Sequence, residues 1–583
     1  MGNADLRARV EAWMADDPDP ATQDELRRLL DGSEGAAADL ADRFAGALQF
    51  GTAGLRGVLG AGPNRMNRAV VARATWALAR VLIAEVPGAA GRGVVVGGDA
   101  RRMSRELSED TAAILAAAGL RVFLFREPVP TPVVGFAVKR LAAAAGVVVT
   151  ASHNPPEYNG YKVFWENAAQ IVPPVDARIA AAIDEAPGAR DVPRPRLEDL
   201  RMTGLLTDTP PEIERDYLDE VLALAVHPYE GDRALRIVYT PLHGVGDALV
   251  RRVLAEAGFT QVTSVPAQQL PDGAFPTVAF PNPEEPGAMD LALALAKESR
   301  ADLVLANDPD VDRLAVAVPE GVGFRQLTGN QVGVLLGHYL LTERKPSVLP
   351  RAVLASIVSS PLLGRIASEM GVRYEETLTG FKWIANLAID VEREGFEFVF
   401  GFEEALGYCV GRAVRDKDGI SAALLVAELT AVFRARGITL ADQLDAIARR
   451  WGAVASSQVN VTRKGATGSA AIRTMMQALR ASPPRHIGGD EVVAVSDYQA
   501  RTRLDTRTGV SVQLALPRSD VLSFDLDSGS RVIARPSGTE PKAKFYFDVR
   551  EEVGPGEPVA NARARSAERM DRLADAFVKI AGL

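Results

Sequence analysis

The 583-residue sequence has a single cysteine, Cys409. One thiol excludes an intrachain disulfide, a Cys-x-x-Cys metal site and a dithiol redox pair, and it fits a reducing cytoplasmic setting. Long apolar runs are missing as well. Nothing reaches the roughly 18 residues that a membrane-spanning helix requires, and the run at 141–150 has the length of a buried strand. The first residues, Met1-Gly2-Asn3-Ala4-Asp5, carry neither an apolar segment nor a small-residue cleavage site, so no secretory leader is expected. A basic excess is also lacking: 66 Lys and Arg against 75 Asp and Glu give a net charge of −9, which disfavours a general grip on nucleic acid or on an anionic membrane. An anionic ligand must therefore meet a local basic cluster. There is no fixed-period repeat.

Apolar residues make up 47% of the chain, enough for several cores, and at roughly 150 residues per domain the length suggests about four domains. Residues 1–48 read as helices, with Thr22-Gln-Asp-Glu25 as a capping box before Leu26. From Thr75 onward helical patterns alternate with short β-branched runs at 93–96, 121–125 and 146–149. Similar runs follow at 235–239, 303–306, 352–356 and 396–400, and the last part of the chain adds strands at 520–524 and 531–534 before a final helix. The pattern is that of α/β units with a mostly parallel, two-side-buried sheet. The polar, Pro-rich stretch 185–195 reads as a connection near the first domain boundary.

Four loops carry chemistry, each directly after a predicted strand, where ligands of α/β sheets sit. In Thr150-Ala-Ser152-His153-Asn154-Pro155, Ser152 is a candidate nucleophile with His153 or Lys162 as its base; an ordinary Asn-Pro turn is the competing reading. A Gly-x-Ser-x-Gly elbow is absent, so an α/β-hydrolase is not supported. In Asn307-Asp308-Pro309-Asp310-Val311-Asp312-Arg313 three alternating carboxylates can converge on a hard cation such as Mg²⁺. The EF-hand pattern fails, because Arg313 stands where its Gly is required and Pro319 where its Glu is required. Gly401-Phe-Glu403-Glu404 offers paired carboxylates for sugar hydroxyls or acid/base work, or an ordinary charged turn. Arg535-Pro-Ser537-Gly538-Thr539-Glu540-Pro-Lys542-Ala-Lys544 combines two hydroxyls, a glycine and cations into a cradle for a dianion. A nucleophile, a metal loop, a polyol-reading loop and a phosphate cradle together suggest phosphoryl transfer on a sugar phosphate.

These four loops, in this order and across nearly the whole chain, resemble the α-D-phosphohexomutase family of phosphoglucomutases and phosphomannomutases. Phe50-Gly-Thr-Ala-Gly-Leu-Arg-Gly57, Asn154-Pro-Pro-Glu-Tyr-Asn-Gly-Tyr-Lys-Val163, Thr377-Leu-Thr-Gly-Phe-Lys-Trp383 and Asp416-Lys-Asp-Gly419 resemble the branch of bacterial phosphoglucomutases and animal phosphopentomutases. The resemblance implies four domains around a central cleft, three similar mixed α/β domains and a smaller C-terminal α+β domain. Expected boundaries are 1–48 for a helical extension, then 49–205, 206–325, 326–450 and 451–583.

It further implies a phosphoryl group on Ser152, with one Mg²⁺ per chain held by that group and by Asp308, Asp310 and Asp312. A sugar 1-phosphate and its 6-phosphate, most readily those of glucose, would interconvert through a 1,6-bisphosphate, which would also serve as activator; mannose and pentose phosphates are the neighbouring choices. Lys162 would be the acid/base, its pKa lowered by burial among cations, with His153 assisting. Arg56 and Arg313 would clamp the moving phosphoryl group, Glu403 and Glu404 would meet the sugar, and Lys382, Arg535, Ser537, Gly538, Thr539 and Lys544 would hold phosphate. Partners would be small sugar phosphates, with neither nucleic acid nor membrane involved and the chain a monomer or homodimer. Many hexose mutases carry Ser after the paired Glu where this chain has Ala405, which leaves the sugar open. His243 reads as a structural loop residue. A phosphatase using Asp308 as nucleophile fits less well, because Asp312 replaces the Thr or Val of that class and Ser152 stays unexplained. A sugar-phosphate-binding protein without chemistry is the non-enzyme alternative.

Overall fold

The computed structural model describes residues 3–32, 35–51, 54–463, 465–536 and 542–582. They form two compact units, one of Met1–Leu327 with Ala388–Asp390 and Ala405–Val432, the other of Thr328–Leu387, Val391–Glu404 and Phe433–Leu583. No helix among the described residues is long and apolar enough to cross a membrane.

The first unit opens with helices α1 (Asn3–Asp16), α2 (Pro20–Leu30) and α3 (Ala36–Arg43), whose inward faces bury Val10, Leu26 and Leu40 with Phe44 and Ala61. The expected capping box at Thr22 does not form. Asp19 caps α2 instead, with Pro20 as the first helical residue, a pairing that suits a fixed φ and a missing N–H. Thr22 then lies inside the helix and donates to Asp17, and Glu25 is free to pair with Arg43 and accept from the Ala61 amide.

Strands β1 (Leu55–Val58), β2 (Val94–Gly98), β3 (Val122–Leu124), β4 (Ala145–Val149), β5 (Tyr158–Phe164) and β6 (Leu206–Asp208) build one sheet in the order β1-β5-β4-β2-β3-β6. The β4-β2-β3-β6 part is parallel, whereas β5 and β1 run antiparallel at one edge. Its valine-rich strands are buried on both faces, as crossover helices on either side demand. The Pro-rich stretch is anchored on α1, its Ala189 amide donating to Asp16 and Arg190 to the Asp17 carbonyl, and β6 beyond it pairs with β3 of the same sheet. A second sheet, β11-β10-β9-β7-β8, is built from β7 (Ile237–Thr240), β8 (Val262–Ser264), β9 (Leu303–Ala306), β10 (Ala315–Glu320) and β11 (Gly323–Gln326), with β8, β7 and β9 parallel. β15 (Gly407–Val410), further along the chain, also belongs to this unit; its Gly407 bridges Arg313.

In the second unit β12 (Arg351–Ser356) lies between β13 (Arg373–Thr377) and β14 (Glu397–Glu403), parallel to both. The C-terminal part is β-rich: β16 (Ala453–Thr462), β17 (His486–Ile487), β18 (Asp490–Asp497), β19 (Thr502–Asp505), β20 (Ser511–Gln513), β21 (Leu522–Leu526), β22 (Arg531–Pro536) and β23 (Lys542–Glu551), in the order β16-β23-β22-β21-β18-β19-β20 with β17 on β18. Its antiparallel ladders are covered by the helix Val559–Ala581, whose Phe577 meets Phe545 edge-on at 5.1 Å. The chain is thus a multidomain α/β protein with a β-rich C-terminal domain.

Candidate active site

β4 ends at Val149, and the next residues place Ser152 in a left-handed turn, φ 53°, a conformation that costs a non-glycine residue roughly 1 kcal/mol or more. Bonds from two sides hold it there. The Ser152 amide donates to Thr150 Oγ1 at 2.8 Å, and Thr150 in turn donates to buried Asp99. The buried Arg101 guanidinium donates to the carbonyls of Ser152, Asn154 and Pro155. The antiparallel register Val148↔Lys162 then sets Lys162, on β5, beside the end of β4. Arg56 comes from β1 through its register with Gly160, and reaches Asn154 Oδ1 at 3.3 Å.

The second sheet supplies the carboxylates. After β9 the chain turns through Asp308, Asp310 and Asp312, all fully buried, with Val311 in the left-handed region. Ser152 Oγ donates to Asp308 Oδ2 at 2.7 Å, so the candidate nucleophile and the acidic loop meet. Lys162 Nζ donates to Asp310 Oδ2 at 2.7 Å and to Asp312 Oδ2 at 2.9 Å, and Lys417 reaches Asp312 Oδ2 at 2.6 Å. Thr131 Oγ1 occupies Asp310 Oδ2 as well, at 2.7 Å. One oxygen of each aspartate lies within 4.8 Å of the others. Asp310 Oδ1 and Asp312 Oδ1 have no hydrogen-bond partner. Three buried carboxylates at this spacing, two of them keeping an oxygen without a hydrogen bond, are a donor set suited to a hard divalent cation. Burial, then the charges of Asp312 and Asp310, push the Asp308 carboxyl well above its ordinary range.

Lys162 departs from expectation. Burial works to lower its pKa, as foreseen, but the charges of Asp310 and Asp312 outweigh burial and raise it above the usual lysine value. The site is lined by carboxylates as well as cations, and the composition of the loop alone did not reveal which would face the ammonium. His153 Nδ1 lies 3.2 Å from Ser152 Oγ; burial first, then Arg313 and Arg56, lower its pKa well below the ordinary histidine value, leaving a neutral ring. Arg313 donates its amide to Asp308 Oδ1 and holds its guanidinium within 4.0 Å of Asp308, Asp312 and Glu284. His243 Nε2 lies 2.8 Å from Thr277 Oγ1, in the loop that follows β8, a contact that braces one loop of the second sheet on another.

In the second unit Glu403 ends β14 and accepts from the Gly380 amide at 2.6 Å. Glu404 accepts from Ser356 and Ser359, both at 3.3 Å, so the hydroxyls beside this carboxylate come from the end of β12 and the turn after it. Lys382, buried in the first turn of the helix Phe381–Arg393, has its Nζ 5.5 Å from the Trp383 ring centre, and Trp383 packs on the apolar cluster around Leu378 and Tyr546. Arg535 and Lys544 face each other in the register of β22 and β23. Ser537, Gly538 and Thr539 lie outside the described residues, as do Thr52 and Ala53 of the segment that carries Arg56.

Three successive matches over more than half of the chain decide the family. Models described as phosphoglucomutase/phosphomannomutase alpha/beta/alpha domains I, II and III match residues 47–189, 215–321 and 328–450. The chain belongs to the α-D-phosphohexomutase family. A Haemophilus influenzae relative named "Probable phosphomannomutase" is 42% identical over 83% of this chain and 93% of its own, and human "Phosphopentomutase" is 34% identical over 95% and 93%. A solved phosphoglucomutase/phosphomannomutase family protein from Burkholderia thailandensis has the same fold, with a TM-score of 0.65 at 20% identity over 90% of this chain and 95% of its own. This phosphohexomutase is therefore an isomerase of the phosphotransferase kind, a phosphosugar mutase.

Three site residues escaped sequence reasoning as functional candidates. Arg101 follows β2 and sits at a strand's carboxyl end, a position that marks ligand loops. Lys417 lies in a motif that supports the family resemblance, and Thr131 had no signal, since only folding brings it to Asp310.

Proposed function

We propose that this phosphohexomutase interconverts glucose 1-phosphate and glucose 6-phosphate through a phosphorylated Ser152. Supporting this reading is one observation above all: Ser152 Oγ lies 2.7 Å from Asp308, beside the orphaned oxygens of Asp310 and Asp312. Phosphorylated Ser152 donates its phosphoryl group to the free hydroxyl of the sugar monophosphate, giving a 1,6-bisphosphate; the other phosphate of the bisphosphate then returns to Ser152 and the isomeric monophosphate leaves. Asp308, Asp310 and Asp312 would hold one Mg²⁺ per chain, which supplies charge neutralisation for the phosphoryl oxygens.

Around that centre, Arg56 and Arg313 offset charge on the moving group. Lys162, charged by its two carboxylates, donates a proton to the departing serine oxygen as general acid, and His153, neutral at 3.2 Å, accepts one or orients Ser152. Glu403 and Glu404 take sugar hydroxyls, and Lys382, Arg535, Ser537, Gly538, Thr539 and Lys544 take the phosphate not in transfer. The working boundaries are 1–48, 49–208, 209–325, 326–450 and 451–583, the first domain reaching past the expected 205 so as to keep β6, which pairs with β3. A sugar 1,6-bisphosphate serves as activator by loading Ser152.

The test is a phosphorus NMR time course with Mg²⁺, trace bisphosphate, and glucose, mannose and ribose 1-phosphates in competition. Fastest conversion of the glucose ester without inorganic phosphate supports the proposal. Preference for mannose or ribose 1-phosphate names a different substrate, inorganic phosphate alone marks a phosphatase, and no change marks a binding protein.

A further inference from the structure

The helix α4, residues Arg68–Glu85, α5 (Ala89–Arg92) and α6 (Ser104–Ala117) precede α7 (Thr131–Arg140), which begins within reach of the acidic loop although it belongs to the sheet that carries Ser152. Its first residue, Thr131, is fully buried and makes two bonds to one aspartate. The Thr131 amide donates to the Asp310 carbonyl at 3.0 Å, and the Thr131 hydroxyl donates to Asp310 Oδ2 at 2.7 Å. The segment has little freedom to do otherwise. Pro130 and Pro132 fix φ on both sides, the β-branched side chain is stiff at χ1, and Val129 ties its amide to the Gly98 carbonyl at the end of β2.

The consequence lies on the opposite oxygen. With Oδ2 taken by Thr131 and Lys162, the carboxylate plane of Asp310 is set and its buried Oδ1 is left without a hydrogen bond, in a cluster where Asp308, Asp310 and Asp312 each bring one carboxylate oxygen within 4.8 Å of the others. Lys162 divides its charge between Asp310 and Asp312, whereas the Thr131 hydroxyl makes its bond to Asp310. Groups that orient a metal ligand from behind typically change metal affinity by about 10- to 100-fold when removed.

We propose that Thr131 is a positioning residue for the cation site, presenting Asp310 Oδ1 to the divalent ion through its hydroxyl. The proposal rests on the reading of the three aspartates as that site. The backbone bond alone would brace the loop with any residue at 131; the hydroxyl bond selects which oxygen faces the ion.

The test is metal affinity of the full-length protein without sugar, read by electron paramagnetic resonance of Mn²⁺ and by displacement with Mg²⁺, at a matched phosphorylation state of Ser152 checked by mass. Thr131→Val, which keeps shape and branching, is expected to weaken Mn²⁺ binding roughly 10-fold or more, while Thr131→Ser stays close to the original. Thr131→Ala, which removes the hydroxyl without setting a methyl group against Asp310 Oδ2, should match Thr131→Val, and circular dichroism melts confirm that each variant is folded. Equal Mn²⁺ affinity in the original protein and in either hydroxyl-free variant overturns the role of Thr131 and leaves the site reading intact. No Mn²⁺ or Mg²⁺ binding by the original protein overturns the cation site and the inference with it.

Discussion

Lys162 donates to Asp310 and Asp312 at 2.7 and 2.9 Å, one ammonium shared by two buried carboxylates, of which Asp312 also pairs with Lys417. Taking one partner from a buried ion pair leaves an uncompensated charge and costs about 3–5 kcal/mol. Lys162→Met should therefore lower the melting temperature of the metal-free protein. Mg²⁺ should restore more stability in the variant than in the original, since a cation would replace the lost charge. Calorimetry with EDTA and then with excess Mg²⁺ checks both, and an unchanged metal-free melting temperature would contradict them.

Ser152 is the only group proposed to carry a covalent phosphoryl. Ser152→Ala should lose turnover by at least ~10³-fold, as removal of an enzyme nucleophile does. It should also fail to gain phosphate from a sugar 1,6-bisphosphate in intact-protein mass spectrometry. Retained phosphate on the variant would move the nucleophile elsewhere.

Gly244 lies against the turn that positions the acidic loop. A Cβ there would stand 2.3 Å from Pro309 Cα and 2.4 Å from Pro309 O, contacts with backbone that no side-chain rotation relieves. Gly244→Ala is expected to cost roughly 1–3 kcal/mol or more and to weaken metal binding through the displaced Asp308–Asp310 backbone. Thermal melts and Mn²⁺ titration give the two readings; a variant indistinguishable in both would show that the loop yields freely.

Asp548 is fully buried in β23, bonded by Ser456 and 3.8 Å from Arg531; burial outweighs the guanidinium and pushes its pKa up to about 6. A carboxyl raised above its unfolded value of 3.8 adds stability that is complete below that pH and is lost as pH climbs through about 6. Asp548→Asn keeps the uncharged form at every pH. Its stability relative to the original should accordingly rise between pH 4 and 7, by roughly 3 kcal/mol at one pKa unit per about 1.4 kcal/mol. Denaturant unfolding across that range checks it, and a difference that narrows with rising pH would reverse the assignment.

Strand positions were legible because two-side-buried strands favour uninterrupted Val, Ile and Leu, as at 94–96 and 303–305. The α2 boundary was misread because Thr22-x-x-Glu25 satisfies a local pattern, while Asp19-Pro20 one turn earlier caps the same helix with a better fit to its end. The loops at Ser152 and Asp308 stood out because each follows an apolar strand and concentrates polar residues there, and the structure sets Ser152 Oγ 2.7 Å from Asp308 Oδ2. The protonation of Lys162 was not, since pKa depends on which charges lie within a few ångströms.

The sequence by itself determined the α/β elements, the order of the chemical loops and the absence of disulfide chemistry, because local periodicity and residue type carry that information along the chain. Only the tertiary structure decided that Thr131, Lys162 and Lys417 share the oxygens of Asp310 and Asp312. Those contacts join residues more than a hundred positions apart, and their free energy depends on distance and burial, which exist only once the sheets have packed.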